Sequence, residues 1–381
     1  MNDRSKQFIK DLIAEYYKKN VIEVSRINER EFGVGDFDAP IKRRHIAFTD
    51  NLTFNNFLRE NAPIFISYSS ALYSYPDARP MESKLLKEAE LVFDIDADDV
   101  DSPCKGKHPS NVVCEICNDR VKEETIKLVE DFLTKDFGVS KSNIRVNYSG
   151  NRGYHVHVID NDLMKLNQHA REEISDYIDP DPESFDIDIL FSGYESSSYK
   201  KAGPGTEDNG WRGRIARVFV NLAERGDAAL RQLEIDDSII DYIMRNRENI
   251  VQEISEGDWS LLWSYRDQLI PKIVRYASSR NSKSIDKNVT KDIYHLIRVP
   301  NTINGKSCMI AKEFSYSDID RFDPMKDAIV RKDEDVKVVI KDAPQIYMND
   351  TYYGPYKDIT IELPAYVAAY YILKGYAELS C

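Results

Sequence analysis

Two aspartates stand two residues apart within an otherwise apolar segment of this 381-residue chain. Asp94 and Asp96 belong to LVFDID, residues 91–96, a composition typical of a strand. In a strand, that spacing places both carboxylates on one face of the sheet and the apolar side chains on the other. Two adjacent carboxylates repel each other unless a cation lies between them, and their hard oxygen atoms suit Mg²⁺ or Mn²⁺. A solvated strand end is the alternative, because further aspartates follow directly.

The acidic run does not match a calcium loop of the EF-hand type. Counted from Asp94, the sixth position holds Asp99 where that loop requires glycine. The twelfth position holds Lys105 where the loop requires glutamate. The two interpretations of the strand carboxylates therefore remain a site for Mg²⁺ or Mn²⁺ and a solvated strand end.

A second group of polar residues occupies the turn SGNRGYH, residues 149–155. Glycine lets the backbone approach a ligand closely, and the side chains of Ser149, Arg152 and His155 can bind phosphate oxygens. For this segment alone, an ordinary hairpin turn with a solvated arginine is the better interpretation. Beside a carboxylate pair that binds metal, a phosphate-binding turn becomes the favoured one.

Three of the five cysteines, together with one histidine, fall in a single short loop at about residues 100–120. They follow the pattern Cys104-x3-His108-x5-Cys114-x2-Cys117. Four such ligands complete a tetrahedral structural zinc site and leave no open position for catalysis. Reduced thiols without a metal are the alternative. The spacing predicts a zinc knuckle that stiffens a loop with little core of its own.

Residues 285–307 carry a third set of groups that suits metal and phosphate. Asp286 precedes a run that ends near Arg298, and Asn304 and Lys306 follow it. An acid followed by basic and amide groups fits a third metal ligand with phosphate contacts. Taken alone, this segment has no specific signature.

Composition excludes several classes of protein. Hydrophobic residues make up 42% of the chain, enough to bury a sizeable core, so wholesale disorder is excluded. The net charge of −13 argues against a protein that coats nucleic acid non-specifically, although it permits a local basic channel. The sequence contains no apolar run of the ~18 residues that a membrane helix needs, and the N-terminus lacks a signal peptide. We therefore expect a soluble, intracellular protein.

Hydrophobic periodicity predicts an α/β chain that is interrupted by a helical insertion. The predicted helices are 4–19, 121–136, 163–178, several within 211–278, and a packing helix within 362–375; the predicted strands are 44–49, 63–69 and 91–96, with a hairpin of 144–149 and 154–160. Residues 85–91 are predicted to end a helix or a loop. Residues 192–210, rich in Ser, Gly and charge, predict a mobile loop.

Together, these motifs resemble the catalytic (small) subunit of archaeal and eukaryotic DNA primases. That family carries D-x-D on an apolar strand, here in FDIDAD at 93–98, and a zinc knuckle soon after it. It then has S-G-x-R-G-x-H, here at 149–155, and an acid before a V-[ST]-K…H-L-[IL]-[RK]-x-P run, here at 286–300. Order and spacing match for all four motifs, and the resemblance covers about residues 25–160 and 284–375.

The resemblance implies an α/β (α+β) fold of the archaeo-eukaryotic primase type, with an RRM-like element, the zinc knuckle and a helical insertion. Residues 1–190 would form the N-terminal part of the catalytic domain and 281–381 its C-terminal part. Residues 191–280 would hold the flexible loop and the helical insertion.

The resemblance also implies roles for individual residues. Carried over by position, two divalent ions, Mg²⁺ or Mn²⁺, would be held by Asp94, Asp96 and Asp286, and the incoming nucleotide would be bound by Ser149, Arg152, His155, Arg298, Asn304, Lys306 and Arg44. Structural Zn²⁺ would be held by Cys104, His108, Cys114 and Cys117. Glu31 matches a family position near the nucleotide, and Asp292 is the alternative to Asp286. Where the family commonly has histidine, this chain has Asn304, which cannot carry charge.

The implied activity is synthesis of short primers de novo on a single-stranded DNA template, with release of pyrophosphate. The implied partners are the template, ribo- or deoxyribonucleoside triphosphates, and a primase large subunit within a heterodimeric primosome. The implied location is the cytoplasm of an archaeon or the nucleus of a eukaryote. Two alternatives stay open, a repair or translesion primase-polymerase of the same superfamily and a non-catalytic, zinc-stabilised nucleic-acid-binding module.

Overall fold

A computed structural model of the full chain describes residues 1–104, 106–112, 114–194, 200–279, 285–330 and 334–380. The chain divides into two compact units. The first comprises residues 1–127, 140–173 and 285–381, and the second comprises residues 128–139 and 174–284. The predicted segment 1–190 thus contributes to both units. Residues 195–199 of the predicted mobile loop lie outside the described residues.

The strands of the described chain all lie in the first unit. They are β1 (Phe32–Gly35), β2 (Arg43–Ile46), β3 (Phe65–Ser69), β4 (Ala71–Tyr73), β5 (Leu86–Ala89), β6 (Leu91–Asp96), β7 (Ile144–Tyr148), β8 (Gly153–Val158), β9 (Leu296–Arg298), β10 (Glu313–Ser315), β11 (Asp335–Ala343), β12 (Ile346–Met348), β13 (Thr351–Tyr353), β14 (Tyr356–Pro364) and β15 (Ala377–Leu379).

The α-helices are distributed over both units. They are α1 (Asp3–Lys19), α2 (Asn51–Asn61), α3 (Glu115–Lys127), α4 (Gln168–Ile178), α5 (Ile187–Leu190), α6 (Gly210–Arg225), α7 (Asp227–Leu230), α8 (Asp237–Arg245), α9 (Arg247–Ser255), α10 (Arg266–Ser279), α11 (Lys287–Lys291), α12 (Pro324–Asp327) and α13 (Ala365–Leu373). No helix in the described ranges is both long and apolar enough to cross a membrane.

Two four-stranded sheets form the frame of the first unit, in the orders β2-β1-β3-β9 and β10-β7-β8-β6. Strands β14, β11 and β15 form a third sheet. In the second sheet all neighbours are antiparallel. Its apolar face is buried, with Phe93, Val146 and Val156 fully inaccessible to solvent. The alternation of apolar and acidic residues in β6 therefore leaves its aspartates on the opposite face.

The second unit is built from helices around one apolar cluster. Trp259, Phe219, Ile243 and Leu269 are fully buried within it. The indole N–H of Trp259 is satisfied by the carbonyl of Pro204 at 2.8 Å. Helical periodicity over residues 211–278 is thereby confirmed, because α6 to α10 occupy that range.

Most predicted elements of the first unit are confirmed. Helix α1, strands β3 and β6, the β7–β8 hairpin and helix α13 lie where apolar periodicity predicts them. The side chain of Asn2 caps α1 by accepting the backbone N–H of Ser5 at 2.8 Å. The α/β fold class is likewise confirmed.

Other predicted bounds are wrong. Residues 86–89 form strand β5, not the end of a helix or loop, because they pair with β4 and tertiary pairing overrides the helix propensity of Leu, Lys, Glu and Ala. Strand β2 ends at Ile46, short of the predicted residue 49. Helix α3 begins at Glu115, inside the predicted cysteine loop, and is followed by a π-helix at Leu128–Thr134.

Candidate active site

The pairing of β6 with β8 sets the strand carboxylates against the polar turn. Asp94 lies opposite His155 and Asp96 lies opposite Gly153 in this antiparallel register. The two carboxylate side chains are about one third exposed, whereas Ile95 between them is fully buried. A Cβ atom at Gly153 would lie 2.2 Å from the carbonyl oxygen of Ile95, so glycine is required for this close pairing.

A third carboxylate is held beside the first. The backbone N–H of Asp286 donates to the carbonyl oxygen of Asp94 at 2.9 Å. Burial, together with the charges of Asp96 and Asp286, raises the pKa of the Asp94 carboxyl to about 7. Asp286 caps the short helix α11, and one of its oxygens accepts the N–H of Asn288 at 2.9 Å. Sequence-distant acids thus share one electrostatic environment that favours a cation.

The turn 149–153 is held by hydrogen bonds and by close backbone packing. Gly150 has a φ of +75°, and a Cβ atom there would lie 2.8 Å from the Cβ of Asn304. The hydroxyl of Ser149 accepts the backbone N–H of Gly153 at 3.1 Å and that of Asn151 at 3.3 Å. The Ser149 hydroxyl therefore orders the turn itself, and its backbone carbonyl accepts the Asn304 amide at 2.7 Å.

The guanidinium of Arg152 lies against the acidic strand end. It donates to Asp98 at 2.8 Å and to Asp96 at 3.1 Å, and it also contacts the carbonyl of Ser110 in the cysteine loop. Its side chain is 13% exposed. Arg152 therefore joins the turn, the end of β6 and the cysteine loop, and it neutralises part of the negative charge on one predicted metal ligand.

His155 is buried and neutral. Burial lowers its pKa well below the usual range, and the nearby charge of Arg298 acts in the same direction. Its Nδ1 lies 3.3 Å from the amide nitrogen of Asn147, and its Nε2 lies 3.7 Å from the Asp94 carboxylate. The ring therefore projects from the carboxylate face of the sheet.

Arg298 carries an unsatisfied donor. Its strand β9 pairs with β3, and its guanidinium carbon lies 5.3 Å from the centre of the Phe65 ring. The Nη1 atom is buried with no hydrogen-bond partner in the described chain. Burial lowers the pKa of this arginine to about 10. An orphaned cationic donor of this kind fits an anionic ligand such as phosphate.

Arg44 is anchored by a buried acid. It makes a two-point ion pair with Glu31, at 2.7 and 3.2 Å, and Glu31 is fully buried. The buried ammonium of Lys84 lies 3.5 Å from the same carboxylate, and the backbone N–H of His45 donates to it at 3.0 Å. Glu31 therefore fixes two cations, of which Lys84 was not predicted from the sequence.

A cavity of about 510 Å³ opens beside the turn. Its lining includes Asn151, Arg152, Lys306, Lys374 and Asp98. The aromatic ring of Phe65 also lines it, and Arg298 stacks near that ring. The volume lies within the range of small-ligand sites. Of the predicted nucleotide-binding residues, Arg152 and Lys306 line this cavity directly, whereas Ser149, His155, Arg298, Asn304 and Arg44 do not.

Asn304 is buried and uses both ends of its amide within the chain. Its nitrogen donates to the carbonyl of Ser149, and its oxygen accepts the N–H of Lys306 at 2.8 Å. It thus links the turn to the segment that carries Lys306.

The predicted zinc ligands converge. The ligand atoms of Cys104, His108, Cys114 and Cys117 all lie within 4.8 Å of one another. The Cys114 and Cys104 sulfurs are 3.4 Å apart, and His108 Nε2 is 3.4 Å from the Cys117 sulfur. Tetrahedral zinc with bonds of about 2.3 Å to sulfur would separate its ligands by roughly 3.8 Å, so the group fits that ion. His108 Nδ1 lies 3.1 Å from the carbonyl of Pro109, which leaves Nε2 free for metal.

Asn147, Asn151, Lys84 and Lys374 complete the site and were not predicted. Three of them are common polar residues outside any motif, so neither periodicity nor motif analysis indicates a role for them. Asn151 is the exception, because it lies inside the SGNRG motif.

Comparison with known proteins identifies the family. The family model described as DNA primase small subunit matches residues 93–316. Among curated relatives, a DNA primase small subunit from Methanococcoides burtonii is 32% identical, with 99% of each chain covered. Its counterparts from Methanothrix thermoacetophila and Nitrosopumilus maritimus are 31% and 27% identical over the whole of both chains. The chain belongs to the DNA primase small-subunit family, and its activity is that of a DNA primase, a nucleotidyltransferase.

Proposed function

We propose that the chain synthesises short primers de novo on single-stranded DNA by metal-dependent nucleotidyl transfer, with release of pyrophosphate. The observation that carries this proposal is the β6–β8 register, which sets Asp94 and Asp96 against His155 and Gly153 of the turn. A carboxylate pair and a phosphate-binding turn on adjacent strands bring metal ligands and anion ligands to one place. Both are needed to transfer a nucleotidyl group.

The carboxylates of Asp94, Asp96 and Asp286 would hold two divalent ions, Mg²⁺ or Mn²⁺. When bound, these ions supply Lewis-acid stabilisation of the attacking 3′-hydroxyl and of the pyrophosphate leaving group. Asp286 would contribute mainly its second oxygen, because the other accepts the backbone N–H of Asn288. Asp94 is held by its backbone bond to Asp286 and lies near the neutral imidazole of His155. The raised pKa of Asp94 supports this role because a bound cation would stabilise a carboxylate that burial and the charges of Asp96 and Asp286 disfavour.

The cations around the turn would bind the triphosphate of the incoming nucleotide. Arg152 and Lys306 line the cavity, and the unsatisfied donor of Arg298 lies near its Phe65 wall. Arg44, fixed by Glu31, would contribute a further cation near the nucleotide. Ser149 and Asn304 use their polar atoms to hold the turn, so we propose that they position the site rather than contact phosphate.

The Cys/His cluster would hold one structural Zn²⁺. Its loop contacts the active site directly, because the carbonyl of Ser110 accepts a hydrogen bond from Arg152. We propose that zinc fixes the loop and thereby the position of that arginine. The partners would be the DNA template, nucleoside triphosphates and a large subunit. The relatives are named as small subunits of a DNA primase, which supports the template and the large subunit.

The test measures incorporation of labelled nucleotide on unprimed single-stranded DNA with Mg²⁺ or Mn²⁺. We expect short products from the wild type and at least a 1,000-fold loss in the Asp94→Ala plus Asp96→Ala double variant, because charge stabilisation by metal is worth several kcal/mol. The matched control is Asp335→Asn plus Asp342→Asn, two exposed acids on β11, which should retain full activity.

Three outcomes separate the alternatives. Full activity in the Asp94→Ala plus Asp96→Ala variant would refute the carboxylate site. Efficient extension of a supplied primer across a damaged template base, in addition to priming, would favour the repair or translesion primase-polymerase. Nucleic-acid binding with no incorporation, even after a large subunit is added, would favour the non-catalytic module.

A further inference from the structure

Lys374 enters the cavity from a part of the chain that no motif covers. It is the residue after helix α13, whose last turn it caps through its backbone N–H to the carbonyl of Tyr370. Its ammonium donates to the side-chain oxygen of Asn151 at 2.7 Å. Its carbonyl accepts the amide of Asn111, in the cysteine loop, at 3.1 Å. Contacts at both ends hold this lysine in one position beside the turn.

Three cations share the wall of the cavity. Arg152 is matched there by the carboxylates of Asp96 and Asp98. Lys306 and Lys374, in contrast, form no ion pair with any carboxylate in the described part of the chain. Two lysines beside one arginine repel each other, and the half-buried ammonium of Lys374 is also less hydrated than that of an exposed lysine. An anion that enters the cavity would relieve both effects.

The pKa of Lys374 reflects the excess of positive charge on this wall. Burial, with the charges of Arg152 and Lys306, lowers its pKa to about 7. Lysine is usually fully charged at that pH, so the free site disfavours the cation that a bound anion would stabilise.

We propose that Lys374, oriented by Asn151, binds the triphosphate of the incoming nucleotide together with Lys306 and Arg152. The inference rests on the proposed function and names one more residue of the same site. A nucleoside triphosphate is a better ligand for this cavity than the template backbone, because the cavity is concave and has the volume of a small-ligand site. It also fits because Asn151 and Arg152 belong to the turn that faces the carboxylates.

The test compares Lys374→Met, which keeps the aliphatic stem, with Lys374→Arg, which keeps the charge. Steady-state incorporation on a single-stranded template should show the KM for nucleoside triphosphate raised about tenfold in Lys374→Met, with kcat within twofold. Lys374→Arg should recover most of the loss. The matched control is Lys341→Met, an exposed lysine on strand β11 that does not line the cavity, which should behave as wild type. Thermal unfolding of each variant establishes that it is folded.

A second readout is independent of turnover. Binding of a fluorescent nucleoside triphosphate, with Mg²⁺ and without template, should weaken about tenfold in Lys374→Met, whereas binding of labelled single-stranded DNA should not change. Asn151→Ala, which removes only the orienting group, should weaken triphosphate binding about threefold. This variant tests the inference should Lys374→Met fail to fold.

The outcomes are distinguishable. Unchanged KM and unchanged triphosphate binding in Lys374→Met would overturn the inference. Weaker DNA binding with normal triphosphate binding would assign Lys374 to the template and overturn it as well. A wild-type protein with no metal-dependent incorporation would contradict the proposed function instead, and the binding measurement would still decide the role of Lys374.

Discussion

The four atoms of the Cys/His cluster contact one another, whereas the aspartates of β6 contact other groups. The Cys104 and Cys117 sulfurs lie 2.7 Å apart, and no other group of three or more potential ligands converges as closely in the described residues. Asp96, in contrast, contacts Arg152 at 3.1 Å, and Asp94 lies 3.7 Å from His155. The predicted zinc ligands therefore contact one another, whereas the predicted ligands of the catalytic ions contact Arg152 and His155.

Charge explains the difference. Thiols and imidazole are neutral when protonated or unprotonated respectively, so they can pack together and share hydrogen bonds. Carboxylates repel each other, so each needs a nearby donor or a neutral neighbour. The cluster can therefore add stability to the fold, while the aspartates, which we propose to be catalytic, cost stability.

The largest expected effect follows from Cys114→Ser. Loss of one thiolate would open the proposed zinc site, and structural zinc contributes folding free energy directly. We expect bound zinc to fall from one ion per chain to none and the free energy of unfolding to fall by about 3 kcal/mol or more. The melting temperature should fall by about 6–12 °C. Zinc content by metal analysis and thermal unfolding measure these changes.

The matched control for that change is Cys308→Ala, at a buried cysteine outside the cluster. It should retain its zinc whatever its packing cost. A chelator should lower the melting temperature of the wild type to that of Cys114→Ser. Equal zinc content in the Cys114→Ser protein and the wild type would show that this thiol is not a ligand.

A stabilising change is expected on the other side of the contrast, from Asp94→Asn. The pKa of Asp94 is raised to about 7, so the folded state holds the proton more tightly than the unfolded chain. The wild type should lose stability as pH rises from about 4 to about 7, and the asparagine variant should not share that loss. With a chelator present, the advantage of the variant at pH 8 should be on the order of 2 kcal/mol.

Denaturant unfolding at pH 5 and pH 8 measures this advantage for Asp94→Asn. Asp342→Asn, an exposed acid on β11, should show no gain at either pH. A variant that is no more stable than wild type at pH 8 would mean that neither burial nor the charges of Asp96 and Asp286 disfavour the Asp94 carboxylate in the folded state.

The sequence is informative about elements and motifs to different degrees. Alternation in LVFDID predicts β6 and the shared face of Asp94 and Asp96, because strand period and burial are local properties. Cysteine spacing similarly predicts the convergence of the four zinc ligands. Strand β5 was not predicted, because its conformation depends on pairing with β4. The propensities of a single sequence do not contain that pairing.

The supporting contacts of the site were beyond sequence analysis for the same reason. Lys374 lies 223 residues from Asn151 along the chain, yet the two side chains share a hydrogen bond. Glu31 and Lys84 meet through tertiary packing alone. The three aspartates, the Cys/His cluster and Arg152 were found by motif, whereas Lys84, Lys374 and the residues that orient them were visible only in three dimensions.

The smallest expected effect concerns Asn304→Ala, which alters a neutral support of the charged site. The change leaves the carbonyl of Ser149 and the N–H of Lys306 without partners, at a cost of about 1 kcal/mol in unfolding free energy. Because the turn then loses its link to Lys306, the KM for nucleotide should rise about threefold while zinc content stays constant. Asn61→Ala, at an exposed amide that bonds only within α2, is the matched control.

A raised KM with constant zinc content in Asn304→Ala would show that the charged site can be altered without affecting the Cys/His cluster. Steady-state kinetics and denaturant unfolding of Asn304→Ala should change together, since the same two hydrogen bonds stabilise the fold and position the cavity wall. A loss of stability without a change in KM would mean that the turn keeps its position without the amide. The hydrogen bonds that Ser149 makes within the turn 149–153 would then suffice to hold it without Asn304.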